Sequence, residues 1–158
     1  MITIQIDFQL AERFGMTYVD AEGQTKYPYV IHRTSIGCYE RTLALLLEKY
    51  AGALPTWLMP EQVRVLPISD RLIDDAKKVE EQLSRAGIRV SCDTRSEKVG
   101  YKIREAQLEK IPYMLVIGDK EVEEGTVSVR SRKEGDLGSM PVESFLSKIL
   151  QEIATKAK

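Results

Sequence analysis

What the 158-residue sequence lacks narrows the field first. It has one histidine, His32, and two cysteines, Cys38 and Cys92, far apart and without Cys-x-x-Cys spacing. That argues against a disulfide scaffold and against a cysteine-rich metal cluster. No apolar run approaches the ~20 residues of a membrane-crossing helix, and no signal peptide precedes the first cysteine. Positive charge is not in excess: 23 Lys and Arg stand against 24 Asp and Glu, net −1. This balance argues against binding nucleic acid by bulk electrostatics, and any RNA contact has to be local. Internal repeats and low-complexity segments are also missing. These absences predict a reduced, cytoplasmic protein with no membrane association, built as one domain or one domain plus an appendage.

What is present begins with 43% hydrophobic residues, enough for a real core. From Met1 to Phe8 apolar Ile2, Ile4, Ile6 and Phe8 alternate with Thr3, Gln5 and Asp7, which predicts a strand with one polar face. After a turn at 20–23, residues 27–33 read as a second strand, paired with or next to the first. A helix over 37–50 carries the run Leu43 to Leu47, apolar nearly all the way round, which predicts burial on more than one side. Gly52, Pro55 and Pro60 then mark a linker, placing the domain boundary between 1–61 and 62–158.

From Gln62 the pattern becomes a regular α/β alternation. Val63–Ile68 and Ile88–Cys92 read as strands, with a helix between them capped by Ser69-Asp70. Val99, Ile103, Leu108 and Ile111 give a helical stripe that leaves Lys102, Arg104 and Glu105 on other faces. Tyr113–Ile117 is a continuous apolar run and so a central strand, and Gly118-Asp119 turns the chain. Residues 126–132 alternate strictly, with Val127 and Val129 inward and Arg130 and Arg132 outward. Pro141 opens a last amphipathic helix. The expected order is βαβαββα, a three-layer α/β domain with a mixed, mostly parallel sheet whose ligand side is the carboxyl end of the strands.

Two polar groups stand out there. Glu121 and Arg130 lie on the two sides of one turn. A carboxylate can accept from the N1–H and N2–H₂ edge of guanine and a guanidinium can donate to a base carbonyl, but a cross-strand surface ion pair has the same spacing. The loop and helix start at 93–104 place Tyr101 beside Lys98, Lys102 and Arg104, which suits phosphate contact and base stacking, or a solvated helix start.

The run from Glu97 to Arg132, with GDLGSM at 135–140, resembles the anticodon-binding domain of bacterial threonyl-tRNA synthetases, and IHRTSIGCYER at 31–41 is similar to motif 3 of the class II synthetases. The resemblance covers essentially the whole chain. It implies the C-terminal part of such an enzyme: a strand and helix remnant of the antiparallel catalytic domain, then the anticodon-binding fold. Its implied partner is the anticodon stem-loop of threonine tRNA, with Ser96, Lys98, Tyr101, Arg104, Glu121, Arg130 and Arg132 as RNA-binding candidates and the second and third anticodon bases, G and U, as targets. Ser96 stands where the family commonly has Asn, and Cys38 where it has Ser.

Arg41 matches the motif 3 arginine that holds the ATP γ-phosphate, Gln5 falls on the strand lining the threonine pocket, and His32 matches a zinc ligand. The family's motifs 1 and 2 and its other zinc ligands find no match. The resemblance therefore implies ATP and zinc in the full-length enzyme and no cofactor or activity for this chain alone. The Leu43 to Leu47 helix and the alternating strands of residues 1–52 are patterned for a larger sheet than the chain supplies. The apolar patch and strand edge so exposed predict a homodimer formed through this N-terminal segment. A freestanding synthetase-like paralogue, or an interaction module binding RNA or protein without aminoacylation, is the alternative, suggested by Ser96 and Cys38.

Overall fold

The computed structural model describes residues 3–157, so Ile2 of the expected first strand lies outside the described residues. Internal contacts divide the chain into two units, Met1–Lys49 and Tyr50–Lys158.

In the first unit β1 (Thr3–Asp7) pairs antiparallel with β4 (Val30–Thr34), not in a hairpin but across an excursion. That excursion holds the short helix α1 (Leu10–Arg13) and a small hairpin, β2 (Tyr18–Val19) and β3 (Thr25–Lys26). Asp7 starts it: its Oδ1 accepts the N–H groups of Gln9 and Leu10, both at 2.8 Å, and these two donors hold its carboxyl below the usual range. The helix α2 (Tyr39–Tyr50) closes the unit. The burial expected for its leucine run is not found. Leu43, Leu45 and Leu47 are 52%, 54% and 44% exposed, because a two-stranded sheet has too little surface to cover an all-round apolar helix.

The second unit is a three-layer sandwich. Its elements are β5 (Val63–Pro67), a 3₁₀ turn (Asp70–Leu72), α3 (Ile73–Arg85), β6 (Val90–Cys92), α4 (Val99–Leu108), β7 (Tyr113–Ile117), α5 (Asp119–Glu124), β8 (Thr126–Ser131), β9 (Gly135–Pro141) and α6 (Val142–Ala154). The sheet order is β6-β5-β7-β8-β9, with β5 parallel to β6 and β7, and β8 antiparallel to β7 and β9. Parallel and antiparallel pairings are thus balanced, where a mostly parallel sheet was expected. Gly-rich 135–140 carries no apolar alternation, which hid β9; six residues are too few to show a helical period, which hid α5.

The period-2 rule sorts the core. Val63 and Val65 of β5, Tyr113, Leu115 and Ile117 of β7, and Val127 and Val129 of β8 face α3 and α6, packing on Ala76, Leu83, Phe145 and Ile149. The opposite face puts Leu66 and Met114 under α4, against Ala106 and Ile111. Ser69 heads the 3₁₀ turn in an extended conformation but makes no side-chain cap bond.

Residues 50–61, expected as a linker, fold with the second unit. Leu54, Thr56 and Met59 are buried, and Glu152 of α6 accepts from the Thr56 hydroxyl and the Tyr113 hydroxyl, both at 2.6 Å. Arg89 adds bonds to the carbonyls of Trp57 and Met59. A segment whose backbone carbonyls are claimed this often is a docked strap and not a free linker.

Candidate nucleic-acid interface

The carboxyl ends of β5, β6 and β7 release three segments to one rim of the sheet. After β5 comes Asp70-Arg71, after β6 the 93–98 loop, and after β7 Gly118 and α5. Side chains stitch the three together. Ser96 donates its hydroxyl to Asp70 Oδ2 at 3.0 Å, and Arg71 Nη2 reaches Asp119 Oδ2 at 2.6 Å.

Glu121 does not flank a turn. It sits in α5, where its Oε2 accepts the Gly118 N–H at 3.0 Å and its Oε1 lies 3.4 Å from the Ser139 hydroxyl. Arg130 is on β8, half-buried, on the face shared with Ser128 and opposite Asp136, whose carboxylate it meets at 3.7 Å. Ser139 pairs with Ser128, so Glu121 and Arg130 approach one sheet face through β8 and β9. α4 packs over β5 and β7, leaving this β8 and β9 face without an α4 layer.

The 93–98 loop is anchored at its start. Asp93 is buried, and Arg95 binds its carboxylate at 2.9 and 2.6 Å while reaching Glu105 at 2.5 Å. The Arg95 hydrogen bonds hold the Asp93 carboxyl below the usual range despite its burial. Beyond this anchor Ser96 and Lys98 are exposed, and so are Tyr101 and Arg104 on α4. The Tyr101 hydroxyl bonds to Glu105, which raises its pKa.

Two side chains read as outward-facing are not. Lys102 is only 2% exposed, and its ammonium donates to the carbonyls of Pro67 at 3.3 Å and Asp93 at 3.0 Å, joining the ends of β5 and β6 from below. The signal was there: 99, 102, 103 and 106 share one helical face. Arg132, an RNA candidate from the sequence, lies beyond the end of β8 and donates to Lys110 O at 2.5 Å, Leu54 O at 2.7 Å and Ala53 O at 3.3 Å. Its guanidinium ties the strap to the exit of α4, and burial pulls its pKa down. A group spent on three backbone carbonyls is not available to a phosphate or base. Asp70 and Arg71, missed in the sequence, are the rim's additional polar groups; an isolated Asp-Arg pair after a strand reads as a helix start.

In the first unit Gln5 and His32 are direct cross-strand partners, both exposed, lining a shallow concavity with Ile6 and Asp7. Arg41 is exposed on the first turn of α2 beside Ser35, Ile36, Thr42 and Leu45. Among the described residues no three His, Cys, Asp or Glu side chains gather as a metal site, so the residues present around His32 do not fit a zinc ion. Among the described residues no helix is long and apolar enough to cross a membrane.

Comparison with known proteins follows the same division. Residues 62–152 match the family model described as the anticodon binding domain, and residues 1–50 match that of the tRNA synthetase class II core domain (G, H, P, S and T). The threonine--tRNA ligase of Clostridium perfringens strain 13 is 62% identical over 156 residues, covering 99% of this chain and 24% of that protein. That of Clostridium botulinum strain Eklund 17B is 58% identical over 158 residues, covering 100% of this chain and 25% of that protein. Among solved structures, the RNA binding domain of threonyl-tRNA synthetase from Cryptosporidium parvum Iowa II superposes with a TM-score of 0.74 at 39% identity, covering 95% of this chain and 38% of that one. The chain thus spans about a quarter of the length of the curated relatives it matches.

Proposed function

The chain belongs to the anticodon-binding-domain family, and on that premise we propose that it recognises the anticodon of threonine tRNA as part of a threonine–tRNA ligase. The observation that carries this reading is identity of 62% to a threonine--tRNA ligase across nearly the whole chain, joined to a rim where Glu121 and Arg130 approach one sheet face. Glu121 supplies a carboxylate for the donor edge of guanine, and Arg130 a guanidinium for base carbonyls. Ser96, Lys98, Tyr101 and Arg104 supply backbone contact and stacking beside them. With a net charge of −1, affinity depends on these local groups and not on a basic field.

Gln5, His32 and Arg41 belong, on this reading, to threonine, zinc and ATP sites that need residues outside this chain, and aminoacylation is work of the larger enzyme in the cytoplasm. The first unit leaves Ile4, Ile6, Phe8, Ile31, Leu43 and Leu45 at least half exposed, an apolar surface suited to pairing with a second copy. Light scattering tests that part: a dimer is expected, and a monomer at high concentration refutes it.

The central test is titration of the chain with a threonine anticodon stem-loop and a scrambled-anticodon control. Preference for the threonine anticodon is expected, and equal binding to both refutes the reading.

A further inference from the structure

Glu121 also lines a cleft of about 350 Å³ between α3, α5 and the start of α6. Its walls are apolar at Val79, Ile117, Val122 and Val142, and Val122 is 39% exposed, so that wall lacks full protein cover. The charged groups are unbalanced: the carboxylates of Asp75, Glu121 and Glu143 stand against the single ammonium of Lys78. Lys78 is already paired with Asp75 Oδ1 at 2.7 Å, and Glu143 takes only a neutral donor, Gln82 Nε2 at 2.6 Å. The amino end of α6 returns only about half a positive charge, so an acidic excess remains. Thr126 supplies an independent observation. It lines the same cleft, and its hydroxyl oxygen is buried without a hydrogen-bond partner among the described residues. A buried hydroxyl left unpaired is costly, and native structures carry few of them.

We propose that this cleft is a binding site for a small organic cation, an ammonium or amidinium carried on a compact apolar body. Such a head group offers donors only, which suits the carboxylates, and the Thr126 hydroxyl oxygen can accept from it as well. The apolar body takes the place of solvent against Val79, Val122 and Val142. A cleft of about 350 Å³ lies within the range of small-molecule sites and, like them, sets a few polar groups among apolar walls. An anion meets the acidic excess, and a neutral ligand leaves it uncompensated. Occupancy bears on recognition through Glu121, whose Oε2 is held by the Gly118 N–H while its Oε1 has only the 3.4 Å contact to Ser139. A cation in the cleft draws that carboxylate away from the sheet face and so weakens RNA binding. This consequence, unlike the binding itself, rests on the anticodon reading above.

The test titrates the full, isotope-labelled chain with benzylamine, and with benzyl alcohol as its neutral counterpart, following backbone amides by NMR. Saturable shifts centred on Val79, Val122, Thr126 and Val142 are expected at millimolar benzylamine, with benzyl alcohol roughly tenfold weaker or more. Glu143→Gln should weaken benzylamine severalfold. Thr126→Val keeps the shape but removes the hydroxyl, and should weaken it too without lowering the melting temperature. Val122→Trp fills the cleft from its exposed wall and should abolish the shifts, its melting temperature showing that the variant folds. Shifts scattered over the acidic surface, equal binding of the alcohol, or shifts that survive Val122→Trp overturn the proposal. At constant ionic strength benzylamine should also weaken binding of the threonine anticodon stem-loop severalfold in the wild type and leave Val122→Trp unaffected. Binding in the cleft without that effect overturns the link to Glu121 alone. A stem-loop titration with no anticodon preference overturns the anticodon reading and leaves the NMR result standing.

Discussion

The carboxylate of Glu121 folds back onto Gly118: Oε2 accepts the Gly118 N–H at 3.0 Å, and a Cβ built on Gly118 would lie 2.7 Å from that same oxygen. The glycine is needed here for space, since its φ of −112° is open to any residue. The carboxylate that faces Ser139 is thus aimed by the absence of a side chain three residues earlier.

Gly118→Ala should therefore separate stability from recognition. The clashing atom is the far end of a flexible side chain, so the carboxylate swings away at a cost expected within about 1 kcal/mol. Anticodon discrimination should fall while the urea midpoint hardly moves. Equal discrimination with the alanine would show that Glu121 does not depend on this contact.

Arg130 and Arg132 are two residues apart and should behave oppositely. Arg130→Ala removes a half-exposed group on the open sheet face, and should weaken stem-loop binding by ~1–3 kcal/mol with no large change in melting temperature. Arg132→Ala orphans the carbonyls of Lys110 and Leu54, and should destabilise by about 2 kcal/mol while leaving base preference intact. Calorimetry beside binding titrations on each variant decides between these outcomes.

Lys102→Met keeps the volume of the side chain but leaves the Pro67 and Asp93 carbonyls without their donor. A loss of ~1–3 kcal/mol in urea unfolding is expected. Faster hydrogen exchange in the 93–98 loop should accompany it, because the ammonium adds to the Asp93 N–H···Val65 O bond that joins the ends of β5 and β6. Unchanged exchange there would mean that Asp93 and Arg95 hold the loop unaided.

Asp93 gives the chain an acid-sensitive clasp. Its folded pKa lies below the ordinary 3.8 because Arg95 bonds the charged form, so its contribution is present above that value and is lost as pH falls through the lowered one. Asp93→Asn should lower the melting temperature at pH 7, and the gap from wild type should narrow as the pH falls below the ordinary 3.8 and through the lowered folded pKa. A gap that stays constant with pH would rule out charge as the origin of the effect.

The alternation in 126–131, the apolar run 113–117 and the amphipathic stripes of α3 and α6 were legible in the residues themselves, because strand and helix periods are local properties of a chain. The sequence pattern likewise marked Glu121, Arg130 and the 93–104 segment for attention. Only the tertiary structure decided what those groups face. It turned Lys102 inward because two strand ends leave carbonyls under α4, took Arg132 for the strap because three backbone acceptors converge on it, and joined Ser96 to Asp70 across 26 residues of sequence. It left Leu43 to Leu47 uncovered because burial needs a partner surface, and a helix's own pattern states only that it could use one. Hydrogen-bond partners and neighbours are set by where distant segments cross, and no periodicity within a segment carries that information.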